Sequence, residues 1–163
     1  MKVLGILQNS WFYDPPKIKR MLAQYATDPE RQERLRRKLM TYALFAGCKS
    51  GRMLQQALGE AWCNAIVWEN ASKEIGDLSS SCFPADLPHL RKRIQEEAPD
   101  VLVTFGKVAT NACMELEHLA AHRLVDYFIA GPHPTARDPE VACCLYEVRK
   151  RLDKLKDSYE HTD

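Results

Sequence analysis

The sequence lacks the features that mark several common classes of protein. No apolar run approaches the roughly 20 residues of a membrane-spanning helix, and Met1–Leu7 is too short and too quickly polar for a signal peptide. The six cysteines form no C-x-x-C pair, which argues against a zinc or iron–sulfur site. Neither a glycine-rich phosphate loop nor a nucleophilic serine elbow is present. We therefore expect a cytoplasmic protein without metal or cofactor, with reduced and mostly buried thiols, among which Cys143 and Cys144 pack within a helix.

The sequence also lacks a marked excess of either positive or negative charge. The chain has 23 basic and 22 acidic residues, a net charge of +1 with neutral histidines. Binding to nucleic acid would therefore need a local basic surface. Residues 30–38 hold five basic and two acidic side chains around Leu35. A solvated helix face is the favoured interpretation of that segment, and a DNA-binding arm is the alternative.

Short apolar runs alternate with helical patterns along the 163 residues, which indicates one α/β domain. Right-handed crossovers place such strands in a mostly parallel sheet with helices on both faces. We therefore predict a three-layer α/β/α sandwich around a four-stranded sheet. The helix N-caps are predicted at Asp28, Ser50 and Asp86. The strands are predicted at Val3–Leu7, at 61–68 with its centre at 65–67, at Val101–Phe105 and at Leu124–Ile129.

A histidine lies in a stiff turn directly after the fourth apolar run. The turn is Gly131–Thr135, in which prolines on both sides of His133 restrict the backbone. Ligands of α/β sheets bind beyond the carboxyl ends of the strands, so we expect His133 to lie at a binding site. Gln8 and Asn9 follow the first strand, Phe45 precedes the third helix and Asn64 begins the second strand. Amides, an aromatic ring and an imidazole suit recognition of a flat heterocycle by its edge and face.

Four blocks, in this order along the chain, resemble the uracil-DNA glycosylase superfamily. Phe45–Leu54 is similar to the P-F-x-G-x-x-G-x-L-L block of its thermophile-type branch, with one extra residue. Asn64–Val67 is similar to the N-x-x-x strand that follows that block. Pro99–Ala109 resembles the P-x-V-I-V-x-L-G-x-x-A strand and helix, and His133–Thr135 resembles the H-P-S motif. The fold expected from this resemblance agrees with the α/β/α sandwich.

The resemblance also implies an activity, a partner and residue roles. The activity is excision of uracil or a related base from DNA that carries a damaged base, with the base flipped out of the stack. Asn9 would position the attacking water, and His133 would donate to the ring O2 of the departing base. Phe45 would stack on the base, Asn64 would read its edge, and Gln8 would lie in the same pocket. The chain is expected to be a monomer and to have no membrane partner. Residues implied to contact the DNA are Lys49, Arg52, Lys107, Thr135 and Arg137.

The sequence departs from the family pattern at several points. Ser10 stands where the first motif has proline, and Thr135 stands where the last motif has serine. The thermophile-type branch holds an iron–sulfur cluster with four cysteines, and their spacing is absent here, so no cluster is expected. The segment from Lys17 to Leu39 is longer than the family pattern leads us to expect, and it has no assigned role.

Plainer interpretations stand beside these roles. Asn9 could cap a turn, Phe45 could belong to the core, Asn64 could be a satisfied interior amide, and Arg137 could be a solvated loop residue. Two other functions also stay open. The fold could bind a base, nucleotide or modified DNA without cleaving it, or it could act on a free nucleoside or nucleotide.

Overall fold

The centre of the molecule is a four-stranded parallel sheet with strand order β3-β1-β5-β6. A computed structural model describes residues 1–8, 10–12, 14–76, 83–120 and 123–161. The sheet strands are β1 (Val3–Leu7), β3 (Val67–Asn70), β5 (Val101–Phe105) and β6 (Tyr127–Gly131). Two short strands, β2 (Ser10–Trp11) and β4 (Ile75–Gly76), pair separately from it. The prediction of an α/β/α sandwich with a parallel four-stranded sheet is confirmed.

Seven helices of the described residues flank and extend this sheet. Buried side chains of α3 and α7, among them Leu54 and Leu145, form one core cluster with residues of the sheet. Leu90 of α5 and Leu116 of α6 belong to a second cluster with other residues of the sheet. None of the described helices is long and apolar enough to span a bilayer. The helices are α1 (Pro15–Ala23), α2 (Pro29–Phe45), α3 (Lys49–Leu58), α4 (Glu60–Ala65), α5 (Leu87–Glu97), α6 (Lys107–Leu119) and α7 (Val141–Glu160).

The helix caps show where local sequence signals are sufficient. The carboxylates of Asp28 and Asp86 accept hydrogen bonds from backbone amides three residues later, as predicted. The cap at Ser50 is wrong, because α3 begins at Lys49 with Cys48 at the N-cap and without a side-chain hydrogen bond. The α3 helix instead begins where it meets the end of α2, close against the Leu44 carbonyl.

Two further predictions need correction. The second strand is wrong at residues 61–65, because residues 60–65 form α4 and the strand runs from Val67 to Asn70. The glycine at 59 ends α3, and α4 then leads the chain to the sheet. The thiols of Cys63 and Cys113 are buried, but Cys143 and Cys144 are exposed and do not pack in the core.

The α1–α2 hairpin contains the Lys17 to Leu39 segment, for which no role is predicted. Its second helix packs against both β2 and the edge strand β3. The favoured interpretation of residues 30–38 as a solvated face is wrong for two of the five basic residues. Arg36 pairs with Glu33 and with the fully buried Glu69, and Arg37 pairs with Glu97. These arginines attach α2 to β3 and α5.

Candidate active site at the carboxyl edge of the sheet

The strand order creates a topological switch point at one edge of the sheet, which we call the crevice. The chain passes from β1 to β3 on one side of β1 and then to β5 on its other side. The loops after β1 and β5 therefore diverge at the carboxyl ends of these strands, which is where open α/β sheets bind ligands. The loops after β3 and β6 border the same edge, since the four strands are parallel.

His133 lies at this edge, in the loop after β6. The amide of Gly106, which follows β5, donates to the Gly131 carbonyl at 3.0 Å and joins the two loops. A Cβ atom placed on Gly106 would lie 3.1 Å from the His133 Cβ. Gly106 also has a φ of 96°, which glycine adopts without strain. This glycine therefore lets the His133 turn approach the start of α6.

The hydrogen bonds of the imidazole define its protonation. The backbone N–H of Thr135 donates to His133 Nδ1 at 3.3 Å, and the Thr135 Oγ1 lies 3.1 Å from the same nitrogen. Because an amide N–H can only donate, Nδ1 is the acceptor and the ring proton resides on Nε2. Burial lowers the pKa of His133 and so favours the neutral ring. The side chain is thus a neutral donor that is fixed in one tautomer.

The other side of the crevice is formed by the loops after β1 and β3. The amides of Ala71 and Ser72 donate to the carbonyls of Leu7 and Gln8, at 2.7 and 3.0 Å. These hydrogen bonds hold Gln8 at the carboxyl edge, where the sequence predicts it. Asn9, the predicted water-positioning residue, lies outside the described residues.

Asn70 is a candidate site residue that the sequence analysis missed. It is the last residue of β3, is only 1% exposed, and its side-chain amide donates to the Ser10 hydroxyl. Its backbone N–H donates to Glu69 Oε1 at 2.8 Å. The polar residues that follow Trp68 could have signalled the end of a strand at this point. Asn70 therefore provides a buried carboxamide beside the loop that contains Gln8.

The prediction that Asn64 begins a strand and faces this edge is wrong. Asn64 is an exposed residue of α4, which precedes the amino end of β3. The four residues of β3 span about 13 Å, so the strand separates Asn64 from the carboxyl edge. The structure does not bring Asn64 together with His133.

Phe45 is half-buried at the end of α2 and contacts the core. Its ring meets Trp68 edge-on, with 5.6 Å between the ring centroids. Trp68 also packs against Phe105, at 5.7 Å, and Phe105 is the last residue of β5. The row of three rings connects Phe45 to the strand that ends beside His133.

Four of the five predicted DNA-contacting residues are exposed, and they lie in two groups. Lys107 begins α6 immediately after Gly106, and Arg137 follows the His133 turn, so both exposed side chains belong to the carboxyl edge. Thr135 is half-buried and holds His133. Lys49 and Arg52 lie on the first turn of α3, where Arg52 donates to the Gly47 carbonyl.

A cavity of about 450 Å³ lies next to the loop after β3. It is lined by residues 72–74 and 84–88, and none of the predicted base-pocket residues lines it. Within the described parts of the chain, no group of three or more His, Cys, Asp or Glu side chains could hold a metal ion. The polar groups that the described residues bring to this edge include backbone and side-chain amides, hydroxyls, the His133 imidazole and the cationic side chains of Lys107 and Arg137.

Comparisons of the chain with protein-family models, with curated proteins and with solved structures give no match.

Proposed function

We propose that the chain is a DNA base-excision glycosylase that hydrolyses the N-glycosidic bond of uracil or a related deaminated base. The observation that carries the proposal is the neutral imidazole of His133, fixed by Thr135 at the carboxyl edge of the sheet. A fixed donor at this edge suits a reaction in which negative charge develops on a planar leaving group. The motifs that resemble the uracil-DNA glycosylase superfamily give the reaction its identity.

In the proposed reaction, a water oxygen bonds to the sugar C1′ and the bond from C1′ to the base breaks. The bonding electrons leave with the base, and His133 Nε2–H donates a hydrogen bond to the ring O2 as negative charge accumulates there. Asn9 orients the water, whose proton finally goes to the departing base. The products are an abasic site and the free base, and no cofactor takes part.

Recognition of the base is assigned to Phe45 and Asn70. Phe45 is half-buried, and its ring packs edge-on against Trp68. Asn70 replaces Asn64 as the group that reads the base edge, because its carboxamide lies at the carboxyl end of β3. One amide hydrogen is donated to the Ser10 hydroxyl, and a carboxamide has a further N–H donor and an oxygen acceptor with which to recognise a base edge.

The test is cleavage of single- and double-stranded oligonucleotides that contain one uracil, scored as abasic sites. Replacing His133 by Ala is expected to slow cleavage about a hundredfold or more, as loss of one preorganised donor does. The matched control is His118→Ala, since His118 is exposed on α6. Unchanged turnover in His133→Ala would refute the role of the imidazole.

The second candidate is a protein that binds a base or modified DNA without cleaving it. The observation that favours it is Ser10, which stands at the place of the motif proline and accepts the Asn70 amide. This contact ties the first loop to β3. Binding of a uracil-containing oligonucleotide without abasic product would select this function over the glycosylase.

A further inference from the structure

The positive charge of the molecule is concentrated in the α1–α2 hairpin. Residues 14–38 hold eight basic and four acidic side chains, so this segment carries a net charge of +4. The rest of the chain holds the remaining fifteen basic and eighteen acidic residues and carries −3. The overall charge of +1 therefore conceals a basic hairpin on an acidic body.

The basic residues of α2 fall into an inward and an outward set. Arg36 and Arg37 pair with carboxylates of the body. Arg31, Arg34 and Lys38 are exposed, and their spacing of three and four residues places them along one face of the helix. We call these three residues the basic stripe. It extends about 10 Å along the helix axis.

The acids of the hairpin do little to neutralise this stripe. The carboxylates of Asp14 and Asp28 accept backbone amides at the starts of α1 and α2. Glu33 pairs with Arg36, which leaves Glu30 as the remaining acid. The helix α1 adds three exposed basic residues, which are Lys17, Lys19 and Arg20.

The hairpin is attached beside the carboxyl edge. The strand β2 lies in the segment that follows β1, and it pairs with β4. The first helix of the hairpin follows β2. The second helix packs against β2 and β3, and Arg36 reaches Glu69, the neighbour of Asn70. The hairpin therefore adjoins the Asn70 side of the crevice, and the His133 turn lies on the opposite side of the crevice.

We propose that the basic stripe binds the phosphate backbone of the DNA strand whose base enters the crevice. This inference rests on the proposed function and gives the Lys17 to Leu39 segment a role. Three cations within about 10 Å of helix can neutralise up to three phosphates of one strand. Such contacts position the nucleic acid and do not read its sequence.

The test measures binding of a fluorescein-labelled, lesion-free 20-nucleotide DNA strand by anisotropy over a series of salt concentrations. The stripe variant is Arg31→Gln with Arg34→Gln and Lys38→Gln. The control variant is Arg151→Gln with Lys154→Gln and Lys156→Gln, which removes the same charge from exposed positions of α7. We expect the stripe variant to bind at least tenfold more weakly at low salt. Its plot of log affinity against log salt should lose about two units of slope, since each phosphate contact on a single strand contributes about 0.7.

Three results would overturn the inference. One is equal weakening in the stripe and control variants, which would reveal only an effect of net charge. Another is unchanged binding by the stripe variant. The third is displacement of the labelled strand by poly-glutamate as effectively as by unlabelled DNA, which would reveal a general site for acidic polymers. The probe has no lesion, so its binding does not depend on excision activity. If the stripe binds DNA but uracil-containing DNA is not cleaved, the glycosylase proposal is refuted and the hairpin site is retained.

Discussion

Replacing Glu69 by Gln tests the buried charges that hold β3 to its neighbours. The Glu69 carboxylate is fully buried, with Arg36 Nη2 at 2.7 Å from Oε1 and Arg93 Nε at 3.0 Å from Oε2. The Asn70 amide donates to it as well, and His89 Nε2 lies 3.5 Å from Oε1. Glutamine keeps the shape and removes the charge, so both guanidinium groups lose a buried counterion. Removing one partner of a buried pair costs about 3 to 5 kcal/mol when the other charge is left unpaired. Arg36 keeps Glu33, and Arg93 keeps carboxylates of its own helix. We therefore expect a loss at the lower end of that range.

The pKa of Glu69 gives an independent magnitude. Burial alone would raise it, but the proximity of His89 and Arg36 and the hydrogen bond from the Asn70 amide lower the pKa from 4.5 to about 2. This difference corresponds to about 3 kcal/mol of unfolding free energy. Because the folded-state pKa is lowered, the contribution is complete above pH 4.5 and is lost as the pH falls towards 2. Glu33 and Glu97, whose pKa values are also lowered, act in the same direction.

The assay is urea unfolding at pH 7 and at steps down to about pH 3, with Glu115→Gln as control because Glu115 is exposed on α6. We expect the free energy of unfolding of Glu69→Gln to be about 3 kcal/mol lower than that of the wild type at neutral pH. It should also fall less than the wild-type value as the pH is lowered. The control should stay within about 0.5 kcal/mol of the wild type. A Glu69→Gln protein with wild-type stability at pH 7, or with the full acid dependence, would refute the reasoning.

Two glycines give further predictions. Gly51→Ala would place a Cβ 1.8 Å from the Leu44 carbonyl oxygen, so we expect a loss of about 2 to 3 kcal/mol in urea unfolding. Ser50→Ala is its control, and a comparable loss there would contradict the observed start of α3. Gly106→Ala strains a φ of 96° and crowds His133. It should cost about 1 to 3 kcal/mol and slow uracil excision; wild-type excision would argue against close packing at the turn.

The strands that were predicted correctly share a simple cause. Val3–Leu7 and Val101–Phe105 are buried at every position, because helices cover both faces of the sheet. Continuous apolar runs of this kind are visible in the sequence. Asp28 and Asp86 were equally readable, since a cap is a contact within three residues.

The second strand was misplaced because its own residues are mixed in character. Glu69 and Asn70 are polar, yet they are 0% and 1% exposed. They are buried because Arg36, Arg93 and Ser10, which are distant in the sequence, satisfy them. A local sequence pattern cannot show such distant partners. The pattern therefore favours a strand centred on the apolar residues 65–67, and it places Asn64 at the wrong edge.

The two sides of the crevice are held by different forces. On the β6 side, His133 depends on prolines, on Thr135 and on the hydrogen bond from Gly106 to Gly131, none of which is an ion pair. On the β3 side, one carboxylate serves two purposes. Glu69 fixes the backbone amide of Asn70 and anchors the basic hairpin through Arg36. The hairpin to which DNA is proposed to bind is therefore joined to the strand of Asn70 by the Arg36–Glu69 pair and by packing of α2 on β2 and β3, whereas none of these contacts involves His133.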